Sequence, residues 1–348
     1  MFTAVIAKEA SFLFEQDLGI DLGTATTLVF ARGRGVVCSE PSVIALEQPS
    51  GRILAVGEAA KRMIGRTPAS IVAATPLRGG VIADFDTAKL MLQHFIRKNR
   101  LRQFLGRTRV VVGVPSSVTE VERRAVVDAA LQAGCKEAYL IEEPLAAGIG
   151  AGLPVDQPIG SMVVDIGGGT TDIAILSLGG IVTSLSIRVA GNAMDEAIQV
   201  YLRKQHNILV GERTAEAIKI AIGSALPGEN LSTSVAGLDM STRLPRCLEL
   251  TSEEIARAIA EPVSQITSAA RTVIERCPPE LLCDIYDQGV TLTGGGSLLR
   301  NMATLLQRET GLPSRVADNP VECVAAGTGR ALDQMKIMQH LVKRGTRR

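Results

Sequence analysis

Along this chain, short apolar runs of strand length alternate with longer segments in which apolar residues return at helical spacing. One run is interrupted. VVDIGGGTTDIAIL, residues 163–176, reads as buried β-structure broken by Asp165, three glycines and Asp172. Each glycine weakens a strand, because it loses more backbone entropy and packs no side chain. A turn needs one glycine or two, so a third indicates that the backbone must come close to something. Residues 19–30, GIDLGTATTLVF, repeat the arrangement: with Asp21 set on Asp165, the pattern D-[LI]-G-x-x-T-T recurs. Each copy predicts strand, tight turn, strand, with an Asp at the end of the first strand. Two such hairpins, one per half, imply a duplicated architecture with a cleft between the halves.

Other segments read as helices joined to strands. TEVERRAVVDAALQAG predicts a helix with a capping box of Thr119 and Glu122 and with Gly134 just past its end. AYLIEEPLAAGIGAG reads as strand then helix, with Pro144 at the first helical position. Glu143 then lies at the carboxyl end of a strand, where α/β sheets place ligand chemistry. Its bland role is favourable charge at a helix N-terminus; its chemical role is to orient or deprotonate a water. Glu142 should point elsewhere. GERTAEAIKIAIGSAL predicts a helix capped by Thr214, with Glu216 and Lys219 on one face, either as an exposed ion pair or bracketing a ligand. GVTLTGGGSLLRNMATLLQRETG reads as strand, glycine turn and helix, with Gly294, Gly295 and Gly296 allowing close approach to a helix N-terminus.

Composition narrows the class. At 348 residues and 46% apolar, the chain is long enough for one large or two medium cores. A net charge of +1, no Trp and three Tyr argue against nucleic acid. The six cysteines form no C-x-x-C pair and read as reduced thiols of a cytosolic protein. No apolar run reaches the roughly 18 residues that span a bilayer. The first sixteen residues have one basic side chain, Lys8, and read as a loosely packed lead-in rather than a secretory signal.

The chemistry of the paired hairpins follows from their residues. Gly and Thr turns expose backbone N–H groups that form a nest for phosphate oxygens. Asp21 and Asp165 would repel those phosphates unless a cation lay between, and Mg²⁺ held largely through waters fits two hard carboxylates. There is neither the G-K-[ST] of a Walker loop nor a G-x-G-x-x-G before a helix.

GIDLGTATT, VVDIGGGTTD and LTGGGSLLR together resemble the phosphate-1, phosphate-2 and adenosine motifs of the superfamily of actin, DnaK-type chaperones and sugar kinases. EPSVIAL, AVGEAAKRMIGRTP, GVIADFD, IEEPLAAGIGAGLP and GERTAEAIKIAIGSA bring the resemblance, from about Leu18 to Met335, to the MreB family of bacterial actins. The resemblance implies an α/β actin-like fold: two RNase H-like subdomains around a nucleotide cleft, each with a smaller inserted subdomain. It places 17–39 and 83–158 in subdomain IA, 40–82 in IB, 159–195 and 256–335 in IIA, and 196–255 in IIB. Residues 1–16 and 336–348 are terminal extensions. It implies slow ATP hydrolysis with Mg²⁺ and homopolymer filaments. These would lie in the cytoplasm against the membrane, with anionic lipid and membrane-bound wall-synthesis proteins as partners, maintaining rod shape.

By motif match, Thr24, Ala25 and Thr26 hold phosphate on one side and Gly168, Gly169 and Thr170 on the other. Glu216 and Lys219 lie along the adenosine, and Gly294, Gly295, Gly296 and Ser297 close over it. Glu143 matches the hydrolytic glutamate, with Thr170 helping to place the water. Thr26 stands where the family motif has Asn, a change that bears on hydrolysis rate more than on binding. The family's membrane-dipping apolar pair corresponds to Phe104 and Leu105, set among Arg97, Lys98, Arg100, Arg102, Arg107 and Arg109, a composition suited to anionic lipid. The basic tail, KIMQHLVKRGTRR, reads as a solvated end.

Two other readings remain open on sequence alone. A sugar-type kinase would need a catalytic Asp and a second polar cluster, which the sequence does not clearly provide. A DnaK-type chaperone ATPase would lack length for a peptide-binding domain after the adenosine motif.

Overall fold

The computed structural model describes residues 16–79, 81–99, 108–116, 118–333 and 343–346. Phe104 and Leu105, and the lead-in up to residue 15, lie outside the described residues. The chain divides into two compact units: Met1–Pro158 with Ser177–Gly180 and Glu322–Arg348, and Ile159–Leu176 with Ile181–Val321.

In chain order the first unit carries β1 (Gln16–Leu22), β2 (Thr26–Ala31), β3 (Gly35–Pro41), β4 (Ile44–Glu47), β5 (Ile53–Val56), β6 (Ile71–Ala74), α1 (Phe85–Asn99), β7 (Thr108–Val114), α2 (Glu120–Gln132), β8 (Glu137–Glu142) and α3 (Glu143–Gly150). The second carries β9 (Ser161–Ile166), β10 (Thr171–Ser177), β11 (Gly180–Ile187), α4 (Gly191–His206), β12 (Ile208–Leu209), α5 (Glu212–Ile222), β13 (Ser232–Asp239), β14 (Pro245–Thr251), β15 (Val290–Thr293), α6 (Met302–Thr310) and β16 (Ser314–Val316). The chain then returns to the first unit with α7 (Cys323–Asp333) and β17 (Lys343–Thr346).

The duplication seen in the two hairpins extends to whole sheets. The first sheet runs β17-β8-β7-β1-β2-β3 and the second β16-β15-β9-β10-β11. Apart from β17, both have the same order. In each, the leading strand is antiparallel to its hairpin partner and parallel to the fourth strand, which is parallel to the fifth. Every residue of β1, β9 and β10 is buried, as expected of central strands covered on both faces. Beneath the first sheet, Ile20, Val110 and Val112 pack with Phe95 and Ile96 of α1. In the second unit, Val164, Ile173 and Ile175 pack with Ile198 of α4 and Ile266. Fully burying one such side chain contributes about 1.5–3 kcal/mol. Each unit also holds a small antiparallel sheet, β5-β4-β6 in the first and β12-β13-β14 in the second.

Local expectations are met at α2, whose Thr119–Glu122 capping box is formed and which is followed by Gly134 at φ +100°. Others need correcting. Gly211, not Thr214, caps α5, and Thr214 falls inside its first turn. Glu143 is itself the first residue of α3, so Pro144 is second; a missing N–H is harmless at either place.

The stretch 256–335, read as one piece of a single subdomain, is divided: its last helix, α7, packs in the first unit. A methyl group on Gly327 would overlap the Ala146 carbonyl oxygen, and one on Gly150 the Cys323 carbonyl oxygen. Arg330 Nη1 donates to the Ile149 and Gly150 carbonyls, both at 3.0 Å, closing the end of α3. The tail is not wholly a solvated end either, because β17 pairs antiparallel with β8 from Glu137 to Leu140. A sheet edge left with unpaired amides recruits a strand where one is in reach.

Two members of the basic cluster around residue 100 have partners within the chain. Arg109 makes a bidentate pair with the buried Asp17, at 2.8 and 2.7 Å, and Lys98 pairs with Glu40. Among the described residues no helix is long and apolar enough to cross a membrane, and all six cysteines are free thiols.

Candidate functional site

Each unit holds half of the sequence-derived site at the carboxyl end of its leading strand. In the first unit Asp21, buried, is the penultimate residue of β1 and lies opposite Leu28 across the hairpin. The turn that follows is Gly23-Thr24-Ala25, with Thr24 buried and Ala25 exposed. Ser42 ties its carbonyls back: the Ser42 hydroxyl donates to Gly23 O at 2.5 Å and the Ser42 amide to Ala25 O at 3.0 Å. A trans peptide directs its N–H opposite to its C=O. The amides of Thr24 and Thr26 therefore face away from Ser42, as a phosphate nest requires.

On the other side of β1, Asp21 is in register with Gly113 of β7. Glu143 projects from the first turn of α3 beside it: a Cβ on Gly113 would lie 3.5 Å from Glu143 Cγ. The tighter neighbour of such a Cβ is Val324 of α7, at 3.2 Å, so the missing side chain at 113 admits α7 while Glu143, 7% exposed, stands at ordinary contact distance. Glu142 turns the other way, toward Arg123 of α2 at 3.4 Å, as expected. The first unit brings Asp21, the turn and Glu143 to one end of one sheet.

In the second unit Asp165 occupies the equivalent place, penultimate in β9 and opposite Asp172 across the hairpin. Its neighbour on the parallel side is Thr293, whose hydroxyl donates to Asp165 Oδ1 at 2.7 Å. Burial pushes the Asp165 carboxyl up to about 7; the Thr293 hydrogen bond works against this and the Asp172 carboxylate adds to it. Loss of hydration disfavours the charged form. A divalent cation offers the missing counter-charge, and hard carboxylate and hydroxyl oxygens are the donor set Mg²⁺ prefers. These residues therefore fit the ion that the hairpin pattern implies.

The second turn is closed by the Gly167 amide bonding to Thr170 O at 2.9 Å. Here the first turn of α4 does what Ser42 does in the first unit. The amides of Gly191 and Asn192 donate to the carbonyls of Gly167 and Gly168 at 3.2 and 2.8 Å. The helix thereby satisfies two of its own orphan donors, and the amides of Gly168 and Gly169 face away from it.

The adenosine elements differ from expectation in three respects. Gly294–Gly296 do not lead directly into a helix; residues 295–298 form a 3₁₀ turn, and α6 begins only at Met302. The close approach that two of these glycines permit is to the protein itself: side chains at Gly294 or Gly296 would overlap the Ile166 carbonyl and side chain respectively. Gly295 alone is open. Ser297, 1% exposed, donates to Gly294 O at 2.6 Å and so braces the turn. Lys219 is already engaged: its ammonium pairs with Asp195 of α4 and donates to Gly191 O, both at 2.9 Å. Glu216 stands one turn earlier on the same helix, half-buried.

Ser42, Gly113, Asp172, Asp195 and Thr293 were not singled out as site residues by sequence reading. Asp172 and Thr293 were within reach, since a hairpin folded at 167–170 puts 172 opposite 165, and Thr293 abuts the glycines. Ser42, Gly113 and Asp195 act through long-range register that no local pattern encodes.

Two sheets of identical strand order, each ending in an Asp-bearing hairpin, define an actin-like protein. Consistent with this, the fold superposes with a TM-score of 0.87 on a crystal structure of MreB 5 of Spiroplasma citri bound to AMPPNP, at 38% identity, covering 94% of this chain and 98% of that one. Residues 15–340 match the family described as MreB/Mbl protein. The chain is 50% identical over 334 residues to the cell shape-determining protein MreB of Escherichia coli (strain K12), covering 94% and 96% of the two chains. It is 49% identical over 324 residues to the cell shape-determining protein Mbl of Bacillus subtilis (strain 168), covering 93% and 97%. The chain belongs to the MreB/Mbl family, which sets aside the sugar-kinase and chaperone readings.

Proposed function

We propose that this protein is a slow, Mg²⁺-dependent ATPase that assembles into homopolymeric filaments on the cytoplasmic face of a membrane. There it organises wall synthesis and so maintains rod shape. The observation that carries this reading is the pair of hairpin turns. In each, the carbonyls are tied back, so that the backbone amides point away from those ties beside a buried aspartate, in a chain of the MreB/Mbl family. Solved relatives support it: MreB5 of Spiroplasma citri has been crystallised with AMPPNP and with ADP.

In this reading Thr24, Ala25 and Thr26 hold phosphate from the first unit, and Gly168, Gly169 and Thr170 from the second. Asp21 and Asp165 hold Mg²⁺ through water; the bound ion neutralises phosphate charge. Glu143 orients an attacking water and accepts its proton, with Thr170 helping to place it. Glu216 and the Gly294–Ser297 turn serve the adenosine. The four-subdomain division belongs to the same proposal, with α7 assigned to the first unit.

Sedimentation of the full chain with Mg²⁺ and ATP tests the assembly: a nucleotide-dependent pellet is expected, and a soluble chain under both conditions overturns it. Membrane attachment is tested separately. Two apolar side chains, at about 1.5–3 kcal/mol each when fully buried, bind a monomer weakly, and repetition along a filament multiplies the effect. Replacing Phe104 and Leu105 by Ser should leave ATP binding intact and abolish co-flotation with anionic liposomes. Unchanged flotation would place the anchor elsewhere, with the first sixteen residues next to be tested.

A further inference from the structure

Helix α5 is fastened at two points to two different parts of the second unit's site. At Lys219 it is tied to α4. The ammonium donates to Gly191 O at 2.9 Å and pairs with Asp195 Oδ2 at 2.9 Å, and both side chains are largely buried. The peptides that Lys219 grips are those whose neighbouring amides hold the second hairpin turn, Gly191 to Gly167 and Asn192 to Gly168. At its C-terminal end α5 is tied to the segment after the glycine turn. Arg300 Nη1 donates to Ile220 O at 3.2 Å and Gly223 O at 3.3 Å, closing the helix with a cation where its dipole is negative. The Ala225 amide donates to Arg300 O at 2.8 Å, and Asn301 Nδ2 to Ser224 Oγ at 3.0 Å. The glycine turn rests in its own right on Ile166, one residue past Asp165. The ties make a closed loop: hairpin turn, α4, α5, Arg300, glycine turn and back to β9.

We propose that α5 is a brace that fixes the phosphate turn and the adenosine elements relative to one another, with Lys219 and Arg300 as its positioning residues. Lys219 acts on the phosphate turn through α4 rather than on adenosine, and Arg300 acts on the adenosine side. The inference rests on the reading of this site as a nucleotide site. Its physical basis is that a closed loop of bonded elements has fewer ways to relax than an open one. Removing the Lys219 ammonium strips Asp195 of its buried counter-charge and releases the first turn of α4. The amides that aim the Gly167 and Gly168 carbonyls then lose their anchor. Removing the Arg300 guanidinium takes away the two bonds to the last carbonyls of α5, loosens that end against the segment after the glycine turn and leaves α4 in place, while the Ala225 and Asn301 bonds remain.

Titration calorimetry of the full chain with Mg²⁺–ATP and with Mg²⁺–tripolyphosphate separates the two ends, and hydrogen exchange of the ligand-free chain gives a second readout. The parent should bind ATP more tightly than tripolyphosphate. Lys219→Met should weaken both ligands by a similar factor, about tenfold or more for a lost hydrogen bond to a charged group. It should also speed amide exchange across Gly167–Thr171. Arg300→Met should weaken ATP alone and leave that exchange unchanged, with Arg300→Lys intermediate. If Lys219→Met weakens ATP but leaves tripolyphosphate binding and turn exchange untouched, Lys219 contacts adenosine and the brace is overturned. If Arg300→Met weakens both ligands alike, or neither, the adenosine arm is overturned. A parent that binds the two ligands equally would instead sink the nucleotide-site reading, while the exchange data would still decide whether Lys219 supports the turn. Should Lys219→Met fail to fold, Lys219→Gln retains a donor for Gly191 O and should show the same pattern at smaller size.

Discussion

The two Asp-bearing hairpins share strand order, register and turn length, yet their surroundings differ at two positions. Across the hairpin, Asp21 faces Leu28 and Asp165 faces Asp172. On the parallel side, Asp21 meets Gly113 and Asp165 meets Thr293. The first unit has no side chain beside its aspartate, and Val324 of α7 and Glu143 pack against that position. The second fills it with a hydroxyl and adds a second carboxylate. One duplicated frame thus carries two surroundings: the first copy places a buried glutamate near its aspartate, and the second places a hydroxyl and a second carboxylate there.

The largest expected effect breaks the first copy. Glu143→Ala should slow phosphate release by about 10²–10⁴-fold with ATP affinity kept, since a group that only handles water acts on the transition state. Gly113→Thr, which makes the first copy resemble the second, should slow it less, because the new side chain presses on Val324 of α7 before it reaches Glu143. A normal single-turnover rate in Glu143→Ala would overturn its role with water, and a normal rate in Gly113→Thr would show that the missing side chain at 113 serves packing alone.

Next comes Leu28→Asp, which gives Asp21 the same opposing carboxylate that Asp165 has. Leu28 is 2% exposed, so an uncompensated charge there should cost about 3–5 kcal/mol, read from urea unfolding. Added Mg²⁺–nucleotide should recover part of that loss if the copies are equivalent in kind.

The third test is pH. The Asp165 carboxyl has its ordinary 3.8 when unfolded and about 7 in the fold. The folded chain therefore holds this proton more tightly. The resulting stability is complete below about pH 4, declines as pH rises, and is lost above about pH 7. Its size is at most about 4 kcal/mol. Unfolding of the ligand-free chain should show that slope, and Asp165→Asn should flatten it; an equal slope in the variant would assign it to other groups.

The smallest expected effect is Thr293→Val. Losing one hydrogen bond to Asp165 should cost about 1 kcal/mol and move its titration further upward, as followed by carboxyl NMR. An unchanged titration would mean that burial and Asp172 alone set it.

The hairpins, the capping box at Thr119 and the strand-to-helix junction at Glu143 were all legible in the sequence, because each is a local pattern of a few residues. The family was legible for the same reason. What escaped reading depends on contacts between distant segments. Gly294 and Gly296 read as room for a ligand, but their space is taken by Ile166, which lies some 130 residues earlier. Lys219 read as a ligand contact or a surface ion pair, yet its partner is Asp195 on another helix. The spacing of Glu216 and Lys219 fixed only which face of α5 they share. The basic stretch around residue 100 read as a setting for anionic lipid, and nothing local showed that Arg109 in it pairs with the buried Asp17, as Arg32 also does.

The return of α7 to the first unit also governs how this protein is made. On the ribosome, residues up to Pro158 emerge before a second unit of roughly 160 residues, and α7 and then β17 follow it. At about 5–20 residues per second, the interval is on the order of 10–30 s. Throughout it, the surfaces of β1 and α3 that α7 will cover stay open, and Gly19 and Ala146 lack the backbone that fits against them. The second unit has its own sequence complete at Val321, where Pro320 O receives the Gly294 amide, before α7 is made. Order of completion during synthesis is thus the reverse of order along the chain.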